Sequence, residues 1–109
     1  MNKQLDRLFQ ELSQGKRCEY CGRPAECIHH LIEKSRSEYL RYDVKNACPV
    51  CIECHNKIHA GKIKPFISDY LRMYENTSLK SWLLERGITL KEYEQEKIKE
   101  LKGILNGKH

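Results

Sequence analysis

The stretch CIECHNKIH, residues 51–59, places two cysteines and two histidines within nine positions. Cys51 and Cys54 have the C-x-x-C spacing, which lets both sulfurs turn toward one metal ion. His55 and His59 are four residues apart, so on a helix both imidazoles lie on one face. The stretch therefore predicts either one site with mixed ligands or two sites with separate tasks.

A second C-x-x-C pair, Cys18 and Cys21, lies upstream, and Gly22 suits the tight turn that follows it. Two such pairs supply four thiolates, which form the ligand set of a closed, tetrahedral structural zinc site. Because such a site has no open coordination position, it stabilises the fold and does not catalyse. The predicted ligands of the structural Zn²⁺ are Cys18, Cys21, Cys51 and Cys54.

Two further cysteines leave an alternative open. In CPVCIEC, Cys48 extends the second pair and can replace Cys51 as a zinc ligand. Cys27 stands apart from both pairs. We interpret Cys48 and Cys27 as small buried side chains, because free cysteines are among the most buried residues.

The composition favours a single small domain, 1–109, that is stabilised by metal. The 109 residues include 6 Cys, and a chain this short often needs a metal or disulfides to hold its core. The N-terminus MNKQLDRLFQ lacks the apolar segment of a signal peptide, and no apolar run is long enough to span a membrane. We therefore expect a cytoplasmic protein without membrane contact, in which the cysteines are metal ligands. The net charge of +5 permits a polyanionic partner without requiring one.

The chain divides into a cysteine- and histidine-rich core and two helical flanks. Apolar side chains recur at helical spacing over residues 2–14, which predicts an N-terminal helix. The core, about residues 17–62, contains all the cysteines and four of the 5 His. It has two strand-like pieces, ECIHHLI and NACPV, and a predicted helix that starts near Cys54. These elements predict a small α+β fold.

The C-terminal flank, residues 65–106, is predicted to form three helices. The first is expected to begin at Pro65, a residue that suits the first helical position. The second runs from about Ser78 to Arg86. The third begins at Thr89, where TLKE has the pattern of a capping box.

His29 and His30 form an adjacent pair in the piece ECIHHLI. Neighbouring side chains on a strand point to opposite faces, so two adjacent histidines seldom serve the same function. One can bind a metal while the other approaches a substrate. Alone, the pair would indicate an ordinary surface, but four histidines in and between two cysteine pairs indicate a site.

The order CEYC, CIHHLIEKSRS, YLRYDVKNACPVC and CIECHNKIH resembles the HNH endonuclease family over roughly residues 17–62. The resemblance implies a ββα-metal unit, in which two strands, a loop and a helix hold one divalent ion. It also implies hydrolysis of DNA phosphodiester bonds. We expect this unit to be held by the four-cysteine zinc site and flanked by the N-terminal and C-terminal helices.

The resemblance assigns roles position by position. His30 matches the general base, and His29 matches the metal ligand before it. Asn46, the second catalytic residue, matches the middle position of the family motif, which fixes the loop that presents the base. His55 and His59 match the remaining ligands of the catalytic ion, although many relatives lack the last of these histidines.

The predicted histidine ligands indicate which divalent ion the catalytic site favours. Three neutral imidazoles leave the full charge of a divalent ion available to a phosphate and leave coordination positions free. Imidazoles favour Mn²⁺, Ni²⁺, Co²⁺ or Zn²⁺ over Mg²⁺, and we expect Mn²⁺ to be a good activator, with Mg²⁺ as the other candidate. A neutral imidazole at His30 can take a proton from water near pH 7.

Lys34, Arg36 and Arg41 lie between the histidine pair and Asn46 and are candidates for contacts with DNA phosphates. The alternatives are a solvated loop and, for Arg41, an ion pair with Asp43.

The resulting hypothesis is a monomer or weak dimer that nicks one strand of duplex DNA with low sequence specificity. One alternative is a non-catalytic zinc-finger module that binds nucleic acid, which would need the cysteines but neither His30 nor Asn46. The other is a phage or restriction accessory nuclease that is active only within a larger complex.

Overall fold

The computed structural model describes residues 2–107, and two short antiparallel strands form its centre. Within these residues five α-helices surround the strand pair, and two turns of 3-10 helix lie in the connection between the strands. The predicted small α+β architecture is confirmed. The elements in chain order are α1 (Lys3–Glu11), β1 (Cys27–His30), the 3-10 turns (Tyr39–Tyr42 and Val44–Asn46), β2 (Ala47–Val50), α2 (Ile52–His59), α3 (Asp69–Tyr74), α4 (Leu79–Arg86) and α5 (Leu90–Asn106).

The strand pair and the helix that follows it form a ββα arrangement. The antiparallel register sets His29 of β1 opposite Cys48 of β2. Helix α2 begins directly after β2, and Cys51 is its N-cap, with a side chain that accepts a hydrogen bond from the Cys54 N–H. One face of β1 and the first two turns of α2 are thereby brought together.

Helix α1 is shorter than the predicted range of 2–14. The side chain of Asn2 caps it by accepting a hydrogen bond from the Leu5 N–H at 3.1 Å. Residues 12–15 continue as turns instead of helix, and Gly15 has a φ of 73°. This left-handed conformation, which glycine adopts at little cost, redirects the chain toward the first cysteine pair.

The helix predicted to begin at Pro65 begins instead at Asp69. The Ser68 hydroxyl accepts a hydrogen bond from the Leu71 N–H and so caps the helix at this later point. Residues 63–67 alternate between partly buried and exposed side chains, which is the pattern of an extended segment. The serine cap therefore decided the helix start, and the proline did not.

The last two helices agree with the prediction. Ser78 caps α4, and Gly87 ends it in a left-handed conformation with a φ of 65°. At α5, Thr89 and Glu92 form the capping box, in which each side chain accepts a hydrogen bond from the other residue's backbone N–H. None of the helices within residues 2–107 is long and apolar enough to cross a lipid bilayer.

Apolar side chains form three clusters around the strand pair. The largest cluster joins α1, α4 and α5 to Ile28 of β1. The second surrounds the cysteine sulfurs, and the third lies beneath the 3-10 turns and α3. The buried members of the largest cluster are Leu5, Leu8, Phe9, Leu12, Ile28, Tyr42, Leu83, Tyr93 and Leu101.

Candidate metal centre and active site

Four sulfurs converge at the start of α2. The Sγ atoms of the two C-x-x-C pairs all lie within 4.8 Å of one another. The Sγ atoms of Cys21 and Cys51 are 3.6 Å apart. This distance fits a tetrahedral Zn²⁺, whose bonds of about 2.3 Å to sulfur separate the sulfurs by about 3.8 Å. The cluster can therefore hold a metal ion through the predicted set, which is Cys18, Cys21, Cys51 and Cys54.

Backbone N–H groups face these sulfurs. Burial raises the pKa of the Cys18 thiol, but hydrogen bonds from backbone N–H groups, the largest from Cys51, lower it, and the resulting pKa is about 6. The Cys51 sulfur accepts a hydrogen bond from the Cys54 N–H at 3.4 Å, at the N-terminus of α2. Amide donors of this kind stabilise negative charge on sulfur, which is the form of cysteine that binds a metal.

Cys48 lies outside the sulfur cluster. Its side chain is buried, and its Sγ atom lies 3.9 Å from the Tyr20 hydroxyl. Burial raises the pKa of the Cys48 thiol. The fold thus brings Cys51 together with the other three sulfurs of the cluster and places Cys48 elsewhere, as a small buried side chain.

Three imidazoles converge beside the sulfur cluster. His29 lies on β1, and His55 and His59 lie on successive turns of α2. One ring nitrogen from each lies within 4.8 Å of the others, and the Nε2 atoms of His55 and His59 are 3.0 Å apart. When nitrogens bind one ion at about 2.0–2.1 Å, the distances between the nitrogens are comparable to those observed here. This group can therefore hold a second metal ion.

The surroundings lower the pKa of two of these imidazoles, those of His29 and His55. Burial, together with repulsion by His55 and His59, lowers the pKa of His29 to about 4. Burial also lowers the pKa of His55, and so does repulsion by His59. A metal needs the unprotonated ring nitrogen, so a group that resists protonation is ready to bind one.

Cys27 is a partner of this group that the sequence did not reveal. Its Sγ atom lies 3.7 Å from Nδ1 of His55 and 3.7 Å from the carbonyl oxygen of Val50. The thiol can donate to that carbonyl while its sulfur accepts the Nδ1 proton of His55. A proton on Nδ1 leaves the Nε2 lone pair free to face an ion. Cys27 is separated from His55 by 28 positions, so no sequence pattern links the two.

His30 points to the opposite face of β1, as the strand alternation predicts. Its ring stacks on Phe9 of α1, with the two centroids 4.8 Å apart. Its Nε2 atom lies 2.9 Å from the backbone carbonyl oxygen of Arg41. Because a carbonyl can only accept, Nε2 carries the proton and Nδ1 keeps a free lone pair. Burial lowers the pKa of His30 to about 4, so the ring is neutral at pH 7 and able to accept a proton.

Asn46 is fully buried, and its amide is fully used. Its Oδ1 accepts a hydrogen bond from the Ile32 N–H at 2.7 Å, and its Nδ2 donates to the carbonyl oxygens of Ile32 and Leu40 at 3.0 and 3.1 Å. These bonds tie the end of the connection between the strands to its beginning and to its middle. Among the contacts of residues 2–107, none joins the Asn46 amide to a histidine ring, so its geometry is that of a positioning residue.

Comparisons with known proteins agree with this geometry. The family model described as HNH endonuclease matches residues 18–61, somewhat under half of the chain. The resemblance to the HNH endonuclease family is confirmed over this segment. The match supports a nuclease or a related nucleic-acid function for this segment.

One curated protein to which the chain is similar is named mitochondrial DNA mismatch repair protein mutS homolog, from Sarcophyton glaucum. It is 42% identical over an alignment of 50 residues, and the alignment covers 42% of this chain and 5% of the relative. The chain therefore spans only a small part of that protein's length. No solved structure matches the chain significantly.

Arg41, a predicted phosphate contact, is held elsewhere in the structure. Its Nε and Nη2 atoms donate to one carboxylate oxygen of Asp6 on α1, at 3.1 and 2.9 Å. The alternative ion pair with Asp43 does not form, since Asp43 instead accepts a hydrogen bond from the Tyr70 hydroxyl at 2.8 Å. Arg41 thus joins the 3-10 turn to α1.

The other two predicted phosphate contacts differ in whether they line the groove beside the three imidazoles. Arg36 lines a groove of about 450 Å³ whose wall includes His29 and His59, and it forms an ion pair with Glu75. Lys34 is exposed and lines a separate cavity of about 620 Å³. Only Arg36 of the three therefore lies in the groove beside the three imidazoles.

Replacing Cys51 with serine should remove the structural metal, because serine is a poor zinc ligand, although its hydroxyl can still cap α2. We expect the zinc content measured by mass spectrometry to fall well below one ion per chain, and stability in denaturant titration to fall by about 4 kcal/mol. Cys48→Ser is the matched control and should retain zinc. Zinc loss in the Cys48 variant alone would reverse the ligand assignment.

Replacing Asn46 with alanine should leave the buried N–H and C=O groups of Ile32 without partners, whereas the Leu40 carbonyl keeps the hydrogen bond from the Asp43 N–H. Because each unpaired buried group costs about 1–3 kcal/mol, we expect the free energy of unfolding of the zinc-loaded protein to fall by about 3 kcal/mol. Denaturant titration measures this. The exposed Asn56→Ala should change stability by less than about 0.5 kcal/mol. Equal effects of the two substitutions would contradict the role assigned to Asn46.

Replacing Cys27 with alanine should weaken metal binding by the histidine group about tenfold, because His55 then loses the acceptor for its Nδ1 proton. The measurement is a titration of the zinc-loaded protein with Co²⁺, followed by visible absorption. Cys27→Ser keeps an acceptor of similar size and should retain affinity. If the alanine and serine variants bound Co²⁺ alike, the contact with His55 would have no part in tuning the site.

Proposed function

We propose that the protein is a metal-dependent endonuclease that hydrolyses DNA phosphodiester bonds, nicking one strand of duplex DNA per active site with low sequence specificity. The observation that carries this proposal is that the two faces of strand β1 present different histidines. His29 faces the two histidines of α2 on one side of β1, while His30 presents a neutral ring with a fixed tautomer on the other. A ligand and a base are thereby adjacent in sequence and separate in task.

The histidine group would hold the catalytic ion through His29, His55 and His59. An ion held there would supply positive charge to the scissile phosphate and to the leaving oxygen. Neutral imidazoles favour Mn²⁺, and Mg²⁺, Ni²⁺, Co²⁺ or Zn²⁺ are the other candidates. The four cysteines would hold Zn²⁺ as a purely structural ion, because a closed set of sulfurs leaves no position for substrate.

His30 would act as the general base. The Arg41 carbonyl accepts the Nε2 proton and leaves Nδ1 as the nitrogen that can take a proton from the attacking water. Phe9 supports the ring from one side and excludes water there. Asn46 holds the loop between the strands, and so it fixes the position of the Arg41 carbonyl without contacting it.

The remaining features follow from a single small site. One active site attacks one phosphodiester bond, so a monomer or weak dimer would produce nicks. Among residues 2–107 the helical flanks pack on the core and form no separate recognition module, which agrees with low sequence specificity. Six cysteines used as metal ligands or free thiols agree with a reducing cytoplasm. Lys34, Arg36 and Arg41 stay candidates for phosphate contacts, with Arg36 the nearest to the metal groove.

Incubation of the zinc-loaded protein with supercoiled plasmid tests this function. We expect open circles with Mn²⁺, fewer with Mg²⁺, and none without a divalent ion. His30→Ala should reduce the rate by at least about 100-fold, because general-base catalysis contributes that much. Added imidazole should restore part of the activity of this variant, which a folding defect would not allow.

The result also separates the alternatives. The His30→Ala protein must keep both metals and its melting behaviour for the loss to count as chemical. Full activity of that variant would refute the mechanism. DNA binding without cleavage under every ion would indicate a non-catalytic zinc module. Cleavage that begins only on addition of cell extract would indicate a nuclease that works within a phage or restriction complex.

A further inference from the structure

The turn that ends α2 directs the following segment along the metal groove. Gly61 has a φ of 76°, its N–H donates to the Ile58 carbonyl at 3.0 Å, and the Lys62 N–H donates to the Lys57 carbonyl at 2.8 Å. This is a Schellman motif, and it fixes the direction in which the chain leaves the helix. Because His59 is the last residue of α2, the segment that follows begins beside a candidate metal ligand.

Residues 63–67 are anchored at both ends and present their alternate side chains outward. Ile63 packs against the cysteine cluster, and Ile67 packs against the cluster beneath the 3-10 turns. Between these anchors Pro65 is partly buried, whereas Lys64 and Phe66 are exposed. In an extended segment, residues two apart project to the same side. Lys64 and Phe66 therefore project outward together.

Phe66 is the most exposed large apolar side chain among residues 2–107, with 82% of its surface accessible. No ring contact is formed by it within that part of the chain. Its neighbours Lys64, Pro65 and Ile67 line the same groove as His29 and His59. A free aromatic ring thus stands at the edge of the candidate catalytic site.

The groove carries a positive excess. Its cations are Arg36, Lys64 and Arg72, and its acids are Glu33 and Glu75. The ion pair with Glu75 occupies Arg36. Within residues 2–107, neither Lys64 nor Arg72 has an ion-pair partner. A bound divalent ion would add to this excess, so the groove suits a polyanion.

We propose that Lys64 and Phe66 form a nucleic-acid contact of the active site, in which Lys64 pairs with a backbone phosphate and Phe66 stacks on an unpaired base. The aromatic ring offers a sequence-tolerant platform for a base, and the lysine offers a charge for the adjacent backbone. Paired bases are already stacked on their neighbours. The favoured substrate is therefore DNA with unpaired bases beside the cut, such as a bulge, a mismatch or a single strand. This inference rests on the proposed function.

Binding to DNA tests this contact without relying on cleavage. The zinc-loaded protein carrying His30→Ala is titrated with a duplex that contains a short bulge and with the same duplex fully paired. A fluorescent purine analogue in the bulge reports stacking. We expect the bulged duplex to bind on the order of tenfold more tightly than the paired one, with quenching of the analogue.

Further substitutions at Phe66 decide whether stacking is the cause. Phe66→Ala should abolish both the preference and the quenching, and Phe66→Trp should keep both. Phe66→Leu keeps an apolar side chain without an aromatic face, so it should behave like alanine. Met73→Ala, at another exposed apolar position, is the matched control and should change nothing. A leucine variant that kept the preference, or an alanine variant equal to the parent, would overturn the proposal.

The lysine is tested separately by salt. Lys64→Ala should weaken binding of both duplexes equally and reduce the slope of log affinity against log salt by about 0.7–0.9. Lys80→Ala, an exposed lysine of α4, should leave the slope unchanged. An unchanged slope in the Lys64 variant would refute the phosphate contact. Plasmid nicking that persists while these variants bind like the parent would refute this contact alone and leave the nuclease function standing.

Discussion

The convergence of four sulfurs at the N-terminus of α2 is the constraint on which the site depends. Cys51 caps the helix, and Cys54 lies in its first turn, so the cluster fixes both the start and the orientation of α2. Two of the three converging imidazoles lie on this helix, one and two turns from its start. A chain of this size has a limited core, and a metal ion held by the four sulfurs would supply rigidity that packing alone would not. The position of His55 and His59 is therefore decided by sulfur chemistry.

The second constraint is the alternation of side chains along β1. It sends His29 toward α2 and its neighbours Ile28 and His30 toward α1. The helical flanks are thus more than a cover for the core, because Phe9 of α1 supports the His30 ring directly. The ion pair between Arg41 and Asp6 ties the loop to the same helix. The carbonyl that sets the His30 tautomer belongs to Arg41, so α1 acts on both sides of that imidazole.

Local chemistry in the sequence predicted the parts of this protein that depend on neighbouring residues. The C-x-x-C pairs, the capping box at Thr89 and the strand alternation at the histidine pair all involve spacings of four residues or fewer, and the structure has each of them. The predicted start of α3 was wrong because apolar periodicity could not show that residues 63–67 bridge two apolar clusters. The partners of Arg41 and His55 could not be predicted, since the first depends on how α1 meets the 3-10 turn and the second on how β1 meets α2.

The closeness of the two ligand groups affects how metal dependence is interpreted. The Cys27 sulfur contacts both the Val50 carbonyl and the His55 ring. These two contacts link the strand that leads into the sulfur cluster with the histidine group. A chelator strong enough to remove zinc from the sulfurs would release α2 and disperse the imidazoles as well. Loss of activity in chelator would then report unfolding as readily as loss of a catalytic ion. Sulfur ligands hold Zn²⁺ far more tightly than they hold Mg²⁺ or Mn²⁺. Exchange of ions at the histidine group under conditions that keep zinc in place is therefore the measurement that addresses catalysis itself.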